Sequence, residues 1–409
     1  MFDPLKLKKD FPILSQKING YPLTYLDNAA TTQKPKCVID KTIEYYENYN
    51  SNIGRSSDSL AIRALNAYEE TRKTVQKFIN AKHETEIIFT RNTTESINLA
   101  AHSWGEENIL EGDEILVSIF EHHSNFVPWQ NLAKKKNAKL LIAPLNNDLE
   151  LDIEAFKKLL SEKTKIVCIS ACSNVLGLKE DLISLTEIIR ANAKNAKILI
   201  DGAQSIAHQK TDVQKIDCDF FAFSGHKIFG PTGIGVLYGK KHLLETMPPF
   251  LIGGGNIIEV NNEFTDFADI PQKFEAGTQN IAGVIAFNEA INYFSSLDIN
   301  EIMTHEKNLF DLAYSLFSKE KGVKIFAPKS TQKRSGILSF TLEKAHPHDI
   351  AQVFNEEGIS TRAGLHCAHP LHLFLKIPAT ARLSFSIYNT EEDIEKAYKA
   401  LQKTLKIFA

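Results

Sequence analysis

The chain has 409 residues, a formal net charge of −3 and 43% hydrophobic residues. A chain of this length exceeds the usual size of one domain, so two domains with a sizeable core are expected. The near-neutral charge comes without a long basic run, and no apolar stretch reaches the roughly 18 residues of a membrane span. Nucleic acid and membrane are therefore poor candidates for partners.

Two further features point to a reducing compartment. The first ten residues alternate charged and apolar side chains, which predicts no signal peptide. The five cysteines suit the cytoplasm better than a disulfide framework. They are Cys37, Cys168, Cys172, Cys218 and Cys367.

In chain order, the first long element is an amphipathic helix predicted over 59–80, and short apolar strands then alternate with helices. That alternation favours an α/β fold with a mostly parallel sheet covered by helices on both faces. The strands are predicted over 87–90, 115–119, 140–143, 166–170, 198–201 and 220–224. A helix-rich connection follows, and after it a strand over 337–342, a helix over 349–357, a strand over 382–388 and a closing helix from Glu391.

These elements divide into three predicted regions. A large domain spans 21–290, and a smaller α+β domain spans 291–409. An N-terminal segment, 1–20, is expected to pack with the small domain.

Lys227 and Asp201 each follow an apolar strand, in Phe-Ser-Gly-His-Lys and Asp-Gly-Ala-Gln. A lysine amine beside a carboxylate is what pyridoxal 5'-phosphate requires. The lysine forms the Schiff base, and the carboxylate keeps the pyridine nitrogen protonated. The alternative is a solvated surface lysine. Ser224, His226 and Gln204 flank the pair as further polar groups.

Two other strand ends carry polar residues. Thr93 and Thr94 open a helix, where free N–H groups and the helix dipole favour a phosphate. The alternative is an ordinary helix start with one of these threonines as the cap. His122 and His123 follow the strand over 115–119, where ligands collect in open α/β sheets, and one imidazole can stack on the cofactor ring. The alternative is a structural histidine pair.

With these pieces assembled, the chain resembles a class V aminotransferase-fold enzyme (a fold-type I pyridoxal-phosphate enzyme), and within that class a SufS-type (group II) cysteine desulfurase. The motifs run in one order along nearly the whole chain. They are Leu26-Asp-Asn-Ala-Ala30, Arg91-Asn-Thr-Thr-Glu95, Glu121-His-His-Ser-Asn125, Ser173-Asn-Val-Leu-Gly177, Asp201-Gly-Ala-Gln204, Phe223-Ser-Gly-His-Lys227, Phe274-Glu-Ala-Gly-Thr278 and Arg362-Ala-Gly-Leu-His-Cys-Ala368. The last of them carries the desulfurase resemblance.

The resemblance implies a role for each matching residue. It makes Lys227, Cys367 and His122 catalytic, with His122 stacked on the cofactor. It assigns the cofactor to Thr93, Thr94, His122, Asn174, Asp201, Gln204, Ser224, His226, Lys227 and Thr278, the last from the neighbouring subunit of a homodimer. It assigns the substrate to Asn174, Arg362, Arg382, Ala30 and Arg55.

Cys367 is the expected sulfur acceptor. L-cysteine would lose its sulfur to the Cys367 thiolate, giving a persulfide and L-alanine. His366, His369 and Arg362 are near enough in sequence to favour the thiolate. Two alternatives are a small buried cysteine and a zinc site made with His366, His369 and His372.

The expected activity is therefore desulfuration of L-cysteine that supplies iron–sulfur cluster assembly. The sulfur is expected to pass to a SufE- or SufU-like acceptor. A selenocysteine lyase acting on L-selenocysteine would use the same residues. An aminotransferase or epimerase would keep Lys227 and Asp201 but have no use for Cys367. A non-catalytic sulfur carrier is a third class, and the intact cofactor residues argue against it.

Overall fold

The computed structural model describes residues 2–54 and 57–409. Over these residues the chain forms a seven-stranded sheet, a four-stranded sheet and the helices that cover them. The predicted α/β class with a mainly parallel central sheet is thereby confirmed.

The strands of the large sheet lie in the order β1-β7-β6-β5-β4-β2-β3. Neighbouring strands from β3 to β6 pair in parallel, whereas β7 is antiparallel to both β6 and β1. The bounds are Ile87–Thr90 (β1), Glu114–Ser118 (β2), Lys139–Ala143 (β3), Thr164–Ser170 (β4), Lys197–Asp201 (β5), Phe220–Ser224 (β6) and Gly235–Gly239 (β7). The six strands predicted here all exist, and β7 was not predicted.

Burial on both faces explains why these strands are apolar runs rather than alternating ones. In β5, Ile198 and Ile200 enter one core cluster and Leu199 enters the other. The covering helices and their neighbours are Pro4–Lys8 (α1), Lys36–Asn48 (α2), Ser59–Phe78 (α3), Thr93–Leu99 (α4), His123–Lys136 (α5), Ile153–Leu159 (α6), Leu182–Asn192 (α7), Val213–Ile216 (α8), Lys241–Thr246 (α9) and Ile281–Ser295 (α10). Helix α4 continues through a π-helical segment, Ala100–Gly105, to Glu106–Asn108.

The second sheet is antiparallel, in the order β10-β11-β13-β12. Its strands are Val323–Phe326 (β10), Ile337–Leu342 (β11), Arg362–Gly364 (β12) and Thr380–Ser384 (β13), and a hairpin of Ile257–Val260 (β8) and Thr265–Phe267 (β9) precedes it. Helices Ile299–Phe317 (α11), Pro347–Glu356 (α12) and Glu391–Ile407 (α14) pack on this sheet, and His369–Leu375 (α13) joins β12 to β13.

One predicted strand has the wrong bounds. The strand expected over 382–388 begins at Thr380 and ends at Ser384. Beyond it the chain turns, because Asn389 Oδ1 accepts the backbone N–H of Ser386 at 2.9 Å. Phe385 and Tyr388 are fully buried there. Burial in a turn thus imitates the apolar pattern of a strand.

The N-terminal residues contact the later part of the chain. Phe2 lies 4.9 Å from His305 between ring centroids, and Lys8 pairs with Asp393 at 3.5 Å. The three domain ranges given above remain a prediction.

A buried ion pair ties α3 to the segment before α10. Arg72 Nη1 and Nη2 lie 2.8 and 2.9 Å from the two carboxylate oxygens of Glu275. Glu275 also accepts the N–H of Phe89 at 2.8 Å and the hydroxyl of Tyr68 at 3.2 Å. Both charges are buried, since the side chains of Arg72 and Glu275 are 1% and 5% exposed.

We expect Arg72→Met to lower the free energy of unfolding by about 3 kcal/mol, because it leaves the buried Glu275 carboxylate without its charged partner. Lys396→Met is the matched control. It breaks the exposed Lys396–Glu392 pair, which is 2.9 Å long, and should change stability by less than about 1 kcal/mol. Urea unfolding measures both. Equal midpoints for the two variants would show that the buried pair is not a stabilising element.

Candidate active site

A cavity of about 420 Å³ opens where the carboxyl ends of β2, β4, β5 and β6 meet the second sheet. Ligands bind at this edge in open α/β sheets. Most of the predicted site residues line it together. They are Ala30, Thr93, Thr94, His122, Asn174, Asp201, Gln204, Ser224, His226, Lys227, Arg362, Cys367 and Arg382.

Lys227 lies in a short 3-10 turn directly after β6. Burial, with Arg382 as the next cause, lowers the pKa of its amine to about 7. Asp201 ends β5, and burial raises the pKa of its carboxyl to about 6, although it accepts the N–H of Ala203 at 2.9 Å. The structure therefore holds an amine that is partly neutral near pH 7.

The carbonyl of Ala29 orients two of these side chains. Lys227 Nζ donates to it, and Gln204 Nε2 donates to it at 2.8 Å. The backbone just before α2 thus fixes the lysine and the glutamine on one acceptor.

The helix start at Thr93 meets the end of β6. The hydroxyls of Thr93 and Ser224 are 2.6 Å apart, and the N–H of Thr93 donates to Ser224 Oγ at 2.8 Å. The hydroxyl of Thr94 lies 2.6 Å from that of Ser124. This arrangement gathers four hydroxyls at one helix N-terminus.

The alternative that a threonine caps this helix is wrong, because Asn92 is the cap and accepts the N–H of Glu95 at 2.9 Å. Gly235 in β7 lets the backbone of Asn92 pack directly against this strand. A Cβ there would lie 2.5 Å from backbone carbons of Asn92, so only glycine fits.

His226 also lines the cavity, and Lys34 is hydrogen-bonded to its carbonyl. His226 Nδ1 is 3.1 Å from the hydroxyl of Thr31, and burial lowers its pKa to about 3, so the ring is neutral. Lys34 donates to the carbonyl of His226 at 3.2 Å, and burial lowers its pKa to about 7.

His122 caps helix α5. Its Nδ1 accepts the N–H of Ser124 at 3.1 Å, so in the neutral ring the proton is on Nε2. Burial lowers its pKa to about 4, with Lys227 as the next cause. A neutral imidazole ring whose Nε2–H is a hydrogen-bond donor therefore lines the cavity.

Two arginines from the second sheet share one carboxylate. Asp27 accepts Arg382 Nη2 at 3.1 Å and Arg362 Nε at 3.0 Å. Arg382 also donates Nη1 to the carbonyl of Asn174 at 2.9 Å, and its Nε is buried without a protein acceptor. Arg362 is 52% exposed, whereas Arg382 is 3% exposed. A buried guanidinium with a spare donor suits a small carboxylate.

Cys367 follows β12 in a loop with left-handed backbone. The φ angles are 127° at Gly364, 47° at His366 and 55° at Cys367. The thiol of Cys367 is exposed, while Cys168, Cys172 and Cys218 are buried. The alternative of a buried hydrophobic cysteine therefore does not apply to Cys367.

His366 does not supply positive charge to this thiol. Burial lowers the pKa of His366 to about 2, so its ring is neutral. Its Nε2 lies 3.1 Å from the carbonyl of Thr380. Its carbonyl accepts Asn174 Nδ2 at 2.6 Å.

One predicted residue lies elsewhere. Thr278 lines a separate depression with Leu251 and Phe274. Its expected position at a neighbouring subunit's site remains a prediction. Arg55 lies outside the described residues.

The histidines near Cys367 are engaged with other groups. His372 Nδ1 is 3.0 Å from the carbonyl of Ala368, and His369 bonds to His123. Within 2–54 and 57–409, no group of three or more His, Cys, Asp or Glu is arranged to hold a metal ion.

Sequence reasoning missed Asp27, Lys34, Ser124 and Ser170, which line or support the cavity. Asp27 and Ser124 fall inside motifs that were recognised, but nothing in those motifs says which side chain an aspartate or serine contacts. Distant parts of the chain make these contacts.

The residues present fit pyridoxal 5'-phosphate. The hydroxyls at the start of α4 suit its phosphate, and Asp201 suits its pyridine nitrogen. The lowered pKa of Lys227 suits its aldehyde, because only a neutral amine attacks a carbonyl.

Comparison with known proteins agrees with this site. The aminotransferase class-V family profile matches residues 24–397. The chain belongs to the aminotransferase class-V family. Curated relatives from Staphylococcus epidermidis and Staphylococcus aureus, both named probable cysteine desulfurase, are 48% identical over 100% of this chain and 98% of theirs.

Solved structures of cysteine desulfurases agree as well. The cysteine desulfurase CsdA from Escherichia coli superposes with a TM-score of 0.92 at 37% identity, covering 100% of both chains. An apo cysteine desulfurase from Thermococcus onnurineus NA1 gives a TM-score of 0.94 at 36% identity, covering 99% of both. The resemblance to cysteine desulfurases predicted from the motifs is confirmed.

We expect pyridoxal phosphate to attach to Lys227 faster as the pH rises toward 7 and to level off above about 8. The folded pKa of this amine is lowered to about 7, so the unreactive protonated form dominates below that pH and is lost as pH rises through it. Borohydride trapping followed by peptide mapping at pH 5.5 to 10 measures the rate. Lys227→Arg is the control and should trap nothing at this position. A rate that keeps rising to pH 10 would contradict the lowered pKa.

Proposed function

We propose that this protein is a cysteine desulfurase that converts L-cysteine to L-alanine and keeps the sulfur on Cys367 as a persulfide. The observation that carries the proposal is the exposed Cys367 thiol on the rim of a cavity that also holds the buried Lys227 amine. An aminotransferase has no use for a thiol at this position.

Each side chain has a task that follows from its place. Arg382 offers its buried Nε to the substrate carboxylate, and Asn174 and Arg362 line the same side. When bound, pyridoxal phosphate supplies the electron sink that weakens the bonds at Cα. Lys227, once freed, is neutral enough near pH 7 to remove the Cα proton.

The sulfur step balances on groups that the chain provides. The Cys367 sulfur attacks the substrate sulfur, so the C–S bond breaks and an S–S bond forms. The electron pair of the C–S bond stays with Cβ, which takes up the proton that the Cys367 thiol gives up. Lys227 returns the proton that it removed from Cα, and L-alanine leaves. His122 presents a neutral Nε2–H at the cavity and is the proposed hydrogen-bond donor to the reacting groups.

Beyond the reaction, we propose a homodimer in which Thr278 of one chain reaches the phosphate of the other. We also propose that a SufE- or SufU-like protein accepts the sulfur for iron–sulfur cluster assembly. Five free thiols support a cytoplasmic location. Among the described residues, no helix is long and apolar enough to span a bilayer.

We expect Cys367→Ala to lower steady-state alanine formation from L-cysteine by at least about 100-fold, because no other exposed thiol lines the cavity to accept sulfur. Cys37→Ala is the matched control, since Cys37 is half-buried and lies on α2. Full activity of Cys367→Ala would refute the desulfurase mechanism.

We expect Arg382→Lys to raise the KM for L-cysteine about tenfold. A compact ammonium lacks the planar fork of donors with which Arg382 can bind Asp27, the Asn174 carbonyl and a substrate carboxylate together. The control is Arg91→Lys, whose side chain is 74% exposed and pairs with Glu95. Steady-state kinetics separates KM from kcat. An unchanged KM in Arg382→Lys would place the substrate carboxylate elsewhere.

A further inference from the structure

Two histidines join the start of α5 to the helix that follows Cys367. His369 Nδ1 and His123 Nε2 are 2.9 Å apart, and the ring centroids are 4.7 Å apart. The backbone N–H of His369 also donates to His123 Nε2, at 3.3 Å. That nitrogen is therefore an acceptor, and the proton of His123 is on Nδ1.

His123 also holds Cys367 itself. Its backbone N–H donates to the Cys367 carbonyl at 2.8 Å. One residue earlier in the loop, the carbonyl of His366 accepts a hydrogen bond from Asn174 Nδ2 at 2.6 Å. His366 and Cys367 both have φ near +50°, a strained backbone conformation for residues other than glycine that persists only where neighbouring groups hold it.

The electrostatics of His123 agree with this arrangement. Burial, with His369 as the next cause, lowers its pKa, so the ring stays neutral near pH 7 and can accept a hydrogen bond. The preceding residue, His122, faces the cavity. One helix start thus carries a side chain for the cofactor and, one residue later, the support of the Cys367 loop.

We propose that His123 and His369 are positioning residues that hold the Cys367 loop so that its sulfur is directed toward the cavity. This proposal rests on the desulfurase function proposed above. The pair fixes the start of α5 against the start of α13, and the bond from the His123 N–H to the Cys367 carbonyl passes that constraint to the Cys367 loop. The loop is therefore placed before L-cysteine binds.

The test compares two substitutions of His369, which is exposed and so tolerates change. His369→Leu keeps bulk and the backbone N–H bond to His123 but removes the side-chain donor. His369→Asn places an amide nitrogen near the position of Nδ1 and can still donate to His123. Thermal unfolding of both variants confirms that they fold like the unsubstituted protein.

The first readout needs no turnover. The iodoacetamide alkylation rate of Cys367, measured by peptide mapping of the pyridoxal-phosphate-loaded protein, should rise about fivefold in His369→Leu, the ratio that one lost hydrogen bond gives. His369→Asn should stay near the unsubstituted rate. Equal alkylation rates in all three proteins would overturn the positioning role.

The second readout is single-turnover alanine formation. The single-turnover rate should fall about fivefold in His369→Leu and stay near the unsubstituted rate in His369→Asn. The KM for L-cysteine, from steady-state kinetics, should be unchanged in both variants. An unchanged rate in His369→Leu overturns the proposal. If the unsubstituted protein forms no persulfide while the alkylation rates still differ, the desulfurase function fails and the positioning role stands.

Discussion

The site depends on one constraint, an amine kept out of water at the edge of a parallel sheet. Lys227 is surrounded by buried strand ends, and desolvation lowers its pKa to about 7. An ordinary lysine would be charged at that pH and could neither attack an aldehyde nor remove a proton. The cost of burying it is offset by the Ala29 carbonyl and by Asp201, whose own pKa is raised by the same burial.

The stretch from Asp27 to Ala29 couples this amine to the substrate side of the cavity. Ala29 holds Lys227, and two residues earlier Asp27 holds Arg362 and Arg382 from the second sheet. One short stretch of backbone therefore sets the spacing between the lysine and the arginines. This explains why residues more than 300 positions apart in the chain act at one site. It also explains why the cavity needs both sheets.

The sequence predicted what depends on local pattern. The six predicted strands of the large sheet and the helix starting at Ser59 exist, and their ends place Asp201, Ser224 and Lys227 as expected. It did not predict β7, since Gly235–Gly239 follows a glycine-rich turn and its short run is set by pairing between β1 and β6. The strand beyond Ser384 was wrong because burial alone imitates strand periodicity.

The candidate site divides in the same way. Motifs placed Lys227 and Cys367 at one cavity, because each motif marks a residue type at a strand end or loop. They did not show that His366 is neutral, which follows from its burial in the folded chain. They did not reveal that Asp27 joins two arginines or that His123 meets His369. Contacts of this kind depend on how the two sheets pack, which no local pattern encodes.

The central claim is that sulfur leaves L-cysteine and stays on Cys367. The most direct measurement is a single turnover of the pyridoxal-phosphate-loaded protein with L-cysteine and no reductant, followed by intact mass, peptide mapping and an alanine assay. The account predicts one added sulfur atom on the Cys367 peptide and an equal amount of L-alanine. Alanine without sulfur on Cys367, or a spectral change with neither product, would contradict it.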